Sequence, residues 1–527
     1  MNVEKSGKKL SEDSVRKPPS LLKSSSLVSV MTLLSRMLGL VRDMVIANFF
    51  GASAGADAFF LAFRIPNFFR RLFGEGAFSQ AFIPVLSEYQ TKRSKSEVKE
   101  LVSHISGSLG LNLIVLTVIG VAAAPLIMGV FAAGYVYTGE TQKLALATEM
   151  LRITFPYVFL ICMTAFSGSV LNSFNRFAIP AFTPVLLNAS LILCAIYLTP
   201  YMETPIVALA WGVLIAGVAQ LSFQIPFLAR LDLLVKPKVN FKDEGVRKVM
   251  TLMLPALLGV SVGQINLLLD TVLASFLETG SLSWLYYSDR LLELPLALFG
   301  ITIATVILPN LSRQHNNDPK AFSATLDWAV KMVCLIGIPA SLALIVLSES
   351  LITTLFYRGE MTARDVSMAS FSLSAYGFGL LGHMLVKVLA PGYFAQQNIK
   401  TPMKIGIIAL VVNMVLNLIF VWHLKHVGLA LATSLSAFLN AGLLWYGLRK
   451  SGVLILDRSW VKFLPRLALA NGAMLVCLQL ILPNQNQWLD MTFWWRLMMM
   501  MFVCLSGALV YFVCLLLMGQ KFKELVK

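Results

Sequence analysis

The sequence has 527 residues and a net charge of +16; 57% of its residues are hydrophobic and only 13% are charged, against about 25% charged in soluble domains. Apolar stretches of about 18 residues or more, each long enough to cross a bilayer as a helix, recur along nearly the whole chain. This pattern excludes a soluble protein and a membrane β-barrel, and basic residues in short loops indicate membrane topology rather than nucleic-acid binding.

The first 25 residues form a polar, basic extension, and an apolar span follows from about Leu27. Arg36, Arg42 and Asp43 interrupt this span, whereas a signal peptide has an uninterrupted apolar core. We therefore expect residues 1–25 to remain attached, on the cytoplasmic side.

The first two spans carry charges that are rare inside a membrane, because each costs roughly 2.5–3.5 kcal/mol at a helix centre. The second span, centred near residue 70, contains five of them: Asp57, Arg64, Arg70, Arg71 and Glu75. Arg36 and Asp43 are seven residues apart and share a helix face. Asp57, Arg64 and Arg71 repeat the same spacing. These faces are predicted to line a bundle interior or a wet cavity.

The second span is also expected to break, because Pro66 removes a helix hydrogen bond and Gly74 and Gly76 follow it. A broken helix at membrane depth is tolerated where it lines a cavity. The two spans hold five arginines against three carboxylates, and the planar guanidinium suits phosphate, so the surplus predicts an anion-binding cavity. Structural ion pairs near the membrane surface are the alternative. We expect Asp43 and Asp57 to orient arginines; proton transfer is a second interpretation.

Twelve further spans make fourteen in all. Their centres lie near residues 117, 160, 190, 217, 263, 297, 335, 380, 411, 437, 472 and 507. Basic residues concentrate in alternate loops, which places both termini in the cytoplasm. The chain also resembles itself at an offset of about 225 residues; for example, residues 175–180 resemble residues 397–402. Six spans separate the copies, so the copies are parallel, and a transport site is expected between them.

These observations predict an all-α polytopic membrane protein with 14 transmembrane helices. Two parallel six-helix repeats are followed by two extra helices at the C-terminus, and the family resemblance given below implies that the repeats form two lobes around a central cavity. The predicted segments are the extension (1–25), the N-lobe with spans 1–6 (26–235), the C-lobe with spans 7–12 (236–455), and spans 13 and 14 with a cytoplasmic C-terminus (456–527).

The C-lobe is poorer in buried charge. Asp289 and Arg290 in span eight occupy the position equivalent to Arg64. Asp270 and Asn413, in spans seven and eleven, could supply oxygen atoms to a Na⁺ ion. Interhelical hydrogen bonds between such side chains are the alternative interpretation.

The sequence contains no Walker A motif, no HExxH motif and no cysteines at metal-binding spacing, and we find no catalytic constellation. We therefore expect a transporter without a bound cofactor rather than an enzyme. Because ATP is not the source of energy in this chain, either Na⁺ or the membrane potential would drive it.

Several long runs of the sequence closely resemble the MurJ/MviN family of lipid II flippases. These are SRMLGLVRD (35–43), ADAFF (56–60), PNFFRRLFGEGAFSQAFIP (66–84), NSFNRFAIPAF (172–182), YYSDRL (286–291) and KVLAPG (387–392). The resemblance covers essentially all of the chain except the first 25 residues or so.

This resemblance implies the fold of the MOP exporters, with a groove for a polyprenyl tail formed by the last two helices. The implied substrate is lipid II, the undecaprenyl-pyrophosphate-linked disaccharide-pentapeptide, carried from the cytoplasmic to the periplasmic leaflet of the bacterial inner membrane for peptidoglycan synthesis. Membrane lipids and lipid II are then the expected partners of a monomer. The family's essential cavity residues match Arg36, Arg42, Arg70, Arg290 and Asp57. The expected binding set also includes Asp43, Arg64, Arg71, Asp289 and Glu75.

Three alternatives stay open at the level of sequence. Another MOP exporter, for a drug or a different polyprenyl glycan, would have the same fold, but a cationic drug would favour an acidic cavity. A membrane glycosyltransferase would need a carboxylate cluster, typically on a sizeable loop. A non-transporting cell-wall scaffold would tolerate replacement of the cavity arginines.

Overall fold

The computed structural model describes residues 21–72, 78–314 and 318–520, and this part of the chain is helical throughout, with no β-strand. Residues 1–20, which make up most of the basic extension, and Glu75 lie outside the described residues.

The helices follow one another with short connections. In the first half they are α1 (Leu21–Phe50), α2 (Ala54–Phe69), α3 (Phe78–Lys92), α4 (Lys95–Ala122), α5 (Ala124–Phe131), α6 (Ala133–Thr138), α7 (Thr141–Thr154), α8 (Tyr157–Ser173), α9 (Ala178–Leu193) and α10 (Val207–Arg230). In the second half they are α11 (Glu244–Ala274), α12 (Ser281–Pro295), α13 (Thr302–Gln314), α14 (Pro319–Val346), α15 (Ser348–Phe356), α16 (Ala363–Phe394), α17 (Lys400–Lys450), α18 (Trp460–Ile481), α19 (Gln485–Asp490) and α20 (Phe493–Leu517).

Ten helical stretches in the described part of the chain are long and apolar enough to cross a membrane. One of them, α17, has 51 residues and a non-helical Lys425 (φ 52°, ψ −134°), so it is two spans joined at a kink. Helix α1, the α2–α3 pair and α11 fall outside that group of ten and correspond to predicted spans one, two and seven. The structure is therefore consistent with the fourteen predicted spans.

Spans two and eight share one departure from the regular α-helix. Helix α2 ends at Phe69, a π-helical turn covers residues 70–72, and α3 begins at Phe78. In span eight, α12 ends at Pro295, a π-helix follows at Leu296–Ile301, and α13 continues the span. Gly74 and Gly76 lie outside the described residues, so the predicted break in span two stays a prediction.

The backbone also preserves the internal repeat. Asn175 (φ 59°) and Gln397 (φ 58°) are both left-handed, although neither is glycine, and they lie 222 positions apart. Asp232 (φ 60°) and Gly452 (φ 71°) form a second such pair, 220 positions apart. Such matched turns at a constant offset indicate two copies of one backbone trace.

The last two spans pack as a separate layer on the C-lobe. A small hydrophobic core joins α18 and α20 to Leu335 and Leu347, and it is distinct from the large core that runs through both lobes. The Tyr511 hydroxyl donates a hydrogen bond to the Leu335 carbonyl at 2.6 Å, which ties α20 to α14.

The lobes meet closely at the end away from the basic loops. Glu360 N donates to the Asn48 carbonyl at 3.0 Å, and the Tyr287 hydroxyl donates to the Gly51 carbonyl at 2.9 Å. A Cβ on Gly359 would lie 2.0 Å from the Asn48 oxygen, and a Cβ on Gly51 would lie 2.4 Å from the Glu360 oxygen. We call this contact, formed by residues 48–53 and residues 359–360, the interlobe seal.

A second contact joins the lobes at the opposite end. There α3 packs against α11, and Lys248 Nζ lies 2.5 Å from Glu88 Oε2. This ion pair is partly exposed, so it stabilises the contact weakly compared with the glycine-lined seal. The space between the lobes is therefore bounded by contacts at both ends.

Alanine at Gly359 is expected to loosen the interlobe seal. The residue has φ 55°, and the Asn48 backbone occupies the space that a Cβ would need. The substitution therefore adds a steric clash to the backbone strain. Gly452 is the matched control, because it has φ 71° but no atom within 4 Å of the point that a Cβ would occupy. We expect Gly452→Ala to cost about 1–2 kcal/mol and Gly359→Ala to lower the thermal unfolding temperature clearly further. Equal shifts in the two variants would show that the close approach is not maintained in the membrane.

Candidate functional site

A cavity of about 450 Å³, the first chamber, lies between the lobes against α1. Its charged lining comes from α1, the end of α2 and α12. The charged residues are Arg36, Arg42, Asp43, Arg70, Arg71, Arg290 and Glu293. The predicted common face of Arg36 and Asp43 thus points into one space, together with arginines that are distant in sequence.

Arg42 and Asp43 form the buried centre of this wall, with exposed fractions of 6% and 1%. Arg42 donates from Nε and Nη2 to Asp43 Oδ1 at 2.9 and 2.6 Å, and from Nη1 to Asn188 Oδ1 at 3.0 Å. The Tyr286 hydroxyl accepts from Arg42 Nη2 at 2.8 Å and donates to Asp43 Oδ1 at 2.9 Å. Asp43 therefore orients Arg42, and the network joins α1 and α9 of the N-lobe to α12 of the C-lobe.

Arg290 is held in place by carboxylates and a ring. Its Nη1 donates to Glu293 Oε2 at 2.8 Å, its Nε lies 3.5 Å from Asp43 Oδ2, and the guanidinium lies 5.0 Å from the centre of the Tyr286 ring. Arg71 Nη2 approaches the same Glu293 carboxylate at 3.8 Å. Charge-assisted contacts of this kind hold a guanidinium in position before a ligand arrives.

Arg36 differs from the other arginines of the first chamber. Its side chain is exposed to the chamber, and within the described residues it makes no hydrogen bond or ion pair. Its five N–H donors are therefore available to an anion. Arg70, which also lines the first chamber, donates from Nε to Asn67 Oδ1 at 2.9 Å.

A second chamber of about 420 Å³ adjoins the first. The two share Phe63, Asn67, Arg71, Arg290 and Glu293. The second chamber adds four ionisable side chains, which are Arg64, Asp289, His383 and Lys387. With histidine neutral, the described residues that line the two chambers include seven cations and three carboxylates, a net charge of +4. Such a surplus of positive charge favours an anionic ligand.

Asp57 does not line either chamber. It is 2% exposed and lies at the N-terminus of α12, where it accepts from Gly280 N at 2.7 Å and from Ser283 N and Oγ at 2.9 and 2.7 Å. Its other partner is Lys143 Nζ, at 3.7 Å. Asp57 was expected to orient an arginine, but the structure places it at a helix N-terminus beside a lysine, where it joins the lobes next to the seal.

The predicted Na⁺ ligands belong to one polar cluster between α11 and α17. Asn417 Nδ2 donates to Asp270 Oδ1 at 2.6 Å and to Asn413 Oδ1 at 2.9 Å, and the buried Asn417 Oδ1 has no partner among the described residues. A carboxylate and amide oxygens are ligands of the class that Na⁺ prefers, so these residues fit the ion. The contacts present are also the interhelical hydrogen bonds of the alternative interpretation, and the Na⁺ site stays a prediction.

The comparison with known proteins gives the family. A sequence model of the family described as "Lipid II flippase MurJ" matches residues 46–499. The chain belongs to this family. A protein from Vibrio cholerae described as a probable lipid II flippase MurJ is 51% identical over 511 residues, which are 96% of this chain and 97% of that protein.

Solved structures agree with this family membership. A lipid II flippase MurJ in an inward closed conformation has a TM-score of 0.80 at 29% identity and covers 95% of this chain and 100% of its own. An inward-facing MATE transporter of the MOP superfamily has a TM-score of 0.65 at 15% identity, with 81% of this chain and 98% of its own covered, and supports the fold alone. The predicted family and fold class are confirmed, and the chain is a multi-pass membrane transporter rather than an enzyme.

Some residues of this MurJ-family site could not be singled out from the sequence. Asn188 and Tyr286 complete the Arg42–Asp43 network, and Asn67 holds Arg70. A signal existed for Tyr286, which precedes Arg290 by four residues and therefore shares its helix face. The same signal existed for Asn67, which precedes Arg70 by three residues. For Asn188 there was none, because a neutral amide in an apolar span is usually an interhelical hydrogen-bonding residue.

Proposed function

We propose that this chain moves lipid II from the cytoplasmic to the periplasmic leaflet of the bacterial inner membrane, with its pyrophosphate bound in the first chamber. The observation that carries this proposal is the net charge of +4 that the described residues place around two adjoining chambers between the lobes. Membership in the lipid II flippase MurJ family names the substrate.

The arrangement of the arginines suits a pyrophosphate. Arg42 and Arg290 are oriented by Asp43 and Glu293, so little conformational entropy is lost when they meet an anion. Arg36 has its donors free within the described part of the chain and would provide bidentate contacts to phosphate oxygens. Neighbouring Arg64, Arg70, Arg71 and Asp289 would shape the electric field around the headgroup.

Transport would follow alternating access. Both termini would be cytoplasmic, so the interlobe seal would face the periplasm and the substrate would enter from the other end. The lobes would then rock about the bound headgroup while the polyprenyl tail stays in the bilayer beside spans 13 and 14. Each charge moved through the membrane potential is worth about 2.3 kcal/mol per 100 mV, and a Na⁺ ion at Asp270 and Asn413 is the other candidate source of drive.

Replacement of Arg36 tests this proposal with little risk to the fold, because the side chain has no hydrogen bond to lose within the described residues. Arg36→Ala in reconstituted full-length protein is expected to slow lipid II flipping at least about tenfold, the effect of one lost charge-assisted hydrogen bond of ~1.5–3 kcal/mol. Arg36→Lys should recover only part of the rate, since ammonium cannot bind bidentately. Arg449→Ala, an exposed arginine at the end of α17, is the matched control.

The assay measures access of a membrane-impermeant probe to lipid II in the outer leaflet. Normal flipping by Arg36→Ala, at normal expression, would contradict the role of the chamber and favour a non-transporting scaffold. Flipping of a different polyprenyl glycan in place of lipid II would favour another exporter of the same fold.

A further inference from the structure

A side pocket of about 210 Å³ lies within the N-lobe, between α3, α8, α9 and α10. It shares Arg70, Pro184 and Leu187 with the first chamber, so the two spaces are neighbours across the Arg70 side chain. The family-derived set of cavity residues includes Arg70 but no other residue of this pocket.

Gln224 is the anomalous residue of the pocket. It is 1% exposed, and neither its Nε2 nor its Oε1 has a hydrogen-bond partner within the described residues. Gln220, one helical turn earlier, is satisfied at both ends: its Nε2 donates to the Thr183 carbonyl at 2.9 Å and its Oε1 accepts from the Tyr157 hydroxyl at 3.3 Å. Buried amides are nearly always paired, so an amide left open beside a cavity indicates a missing ligand.

The rest of the lining defines the chemistry of that ligand. Apart from Arg70, the polar residues are uncharged hydroxyls and amides. They are Ser79, Tyr157, Thr164, Ser169, Asn172, Thr183, Gln220 and Gln224. No carboxylate lines this pocket in the described part of the chain. Such a lining suits a neutral group that both donates and accepts hydrogen bonds, and the arginine at its edge suits an adjoining phosphate.

We propose that this side pocket binds the sugar unit attached directly to the pyrophosphate, with the Gln224 amide hydrogen-bonding a hydroxyl or amide of that sugar. A volume of about 210 Å³ suits one sugar ring rather than the whole headgroup. The inference rests on the proposed function above and deepens it. Arg70 stands where the phosphate bound in the first chamber and the sugar bound in the pocket would join, and Gln224 becomes a specificity-determining residue.

The test compares two lipids, one with and one without the disaccharide-pentapeptide that contains this sugar. Full-length protein in nanodiscs is titrated with lipid II and with undecaprenyl pyrophosphate, which has the anion but no sugar. In Gln224→Leu, we expect the preference for lipid II over undecaprenyl pyrophosphate to fall about tenfold, with unchanged affinity for undecaprenyl pyrophosphate. Gln90→Leu is the matched control, since Gln90 Nε2 is also buried without a partner in the described part of the chain but lines none of the cavities described above.

A stability measurement separates binding from folding. Removing an unsatisfied buried amide should leave the unfolding temperature unchanged or raise it. Gln224→Met, which keeps the side-chain length, serves as a second variant and should show the same loss of preference. If both variants keep the wild-type preference, or the wild type itself has none, the pocket holds water only and the inference is overturned.

The same titration distinguishes failure of this inference from failure of the proposed function. Arg36→Ala should weaken the binding of both lipids, because both carry the pyrophosphate. If Arg36→Ala binds both lipids with unchanged affinity, the proposed anion site itself is contradicted, whatever lipid preference Gln224→Leu shows.

Discussion

Asp57→Ala is expected to open the interlobe seal and to abolish lipid II flipping in a protein that still inserts into the membrane. The substitution removes the acceptor of three hydrogen bonds at the N-terminus of α12 and the carboxylate beside Lys143, whose side chain is 6% exposed. The ion pair with Lys143 lies within the N-lobe, whereas the three hydrogen bonds from Gly280 and Ser283 cross between the lobes. A hydrogen bond to a charged group is worth about 1.5–3 kcal/mol, so their loss falls on the state in which the lobes touch.

A cysteine reporter in the seal measures this opening. Ala52 is 9% exposed and lies beside Gly280, so Ala52→Cys should react slowly with a membrane-impermeant maleimide added from the outside. Combining it with Asp57→Ala should raise the labelling rate at least about tenfold, the ratio that ~1.4 kcal/mol produces. Asp57→Asn keeps one acceptor oxygen, so its labelling rate should lie between that of the Ala52→Cys reporter alone and that of the reporter combined with Asp57→Ala.

The control removes a similar helix cap away from the lobe interface. Asp318 accepts from Lys320 N and Ala321 N at the start of α14 and is exposed. Asp318→Ala should cost about 1 kcal/mol and leave the labelling rate of the Ala52→Cys reporter unchanged. If Asp57→Ala labels no faster than this control, the carboxylate does not hold the lobes together.

Arg42→Ala is expected to destabilise the fold as well as stop transport. It leaves the Asp43 carboxylate, 1% exposed, with only the Tyr286 hydroxyl at 2.9 Å and Arg290 at 3.5 Å among the described residues. Removing one partner of a buried ion pair costs about 3–5 kcal/mol, and the remaining contacts of Asp43 with Arg290 and Tyr286 place the expected cost toward the lower end of that range. Removing both partners is milder, so Arg42→Ala/Asp43→Ala should recover much of the lost unfolding free energy but none of the flipping.

Thermal unfolding of the two single variants and the double variant, alongside flipping assays, gives a double-mutant cycle. The role of Arg42 in anion binding would be supported by recovered stability without recovered transport. Additive losses of stability would mean that the pair is not coupled, and recovered transport would mean that Arg42 serves only to neutralise Asp43.

The sequence identified site residues most readily where a charged side chain lies within an apolar span. Arg36 and Asp43 stood out because charge is expensive in an apolar span, and their spacing of seven identified a shared face that the structure places in one chamber. Pro66 indicated, for an equally local reason, that the regular α-helix is interrupted near it, and α2 ends at Phe69.

Long-range partners were beyond the reach of such reasoning. Asp57 repeats the same spacing with Arg64 and Arg71, but spacing gives a face and not a depth, and its partners lie on α12, 223 and 226 residues away. Gln224 carries no charge, so nothing in the sequence distinguishes it from Gln220, which is fully paired. Only the packed structure shows which of the two amides is left open.

Helix α12 has a consequence for energy coupling, because one helix contributes both to the seal and to the first chamber. Its first turn is bound by Asp57 at the seal, and nine residues later, about 13 Å along the axis, Arg290 faces the first chamber. A tilt of α12 as a unit would move both ends. By thermodynamic reciprocity, an anion that prefers one position of Arg290 must shift the equilibrium of the seal, and a locked seal must change anion affinity by the same factor. If the headgroup binds at Arg290 as proposed, its affinity measured from one face of the membrane would also be a measure of the closure of the other face.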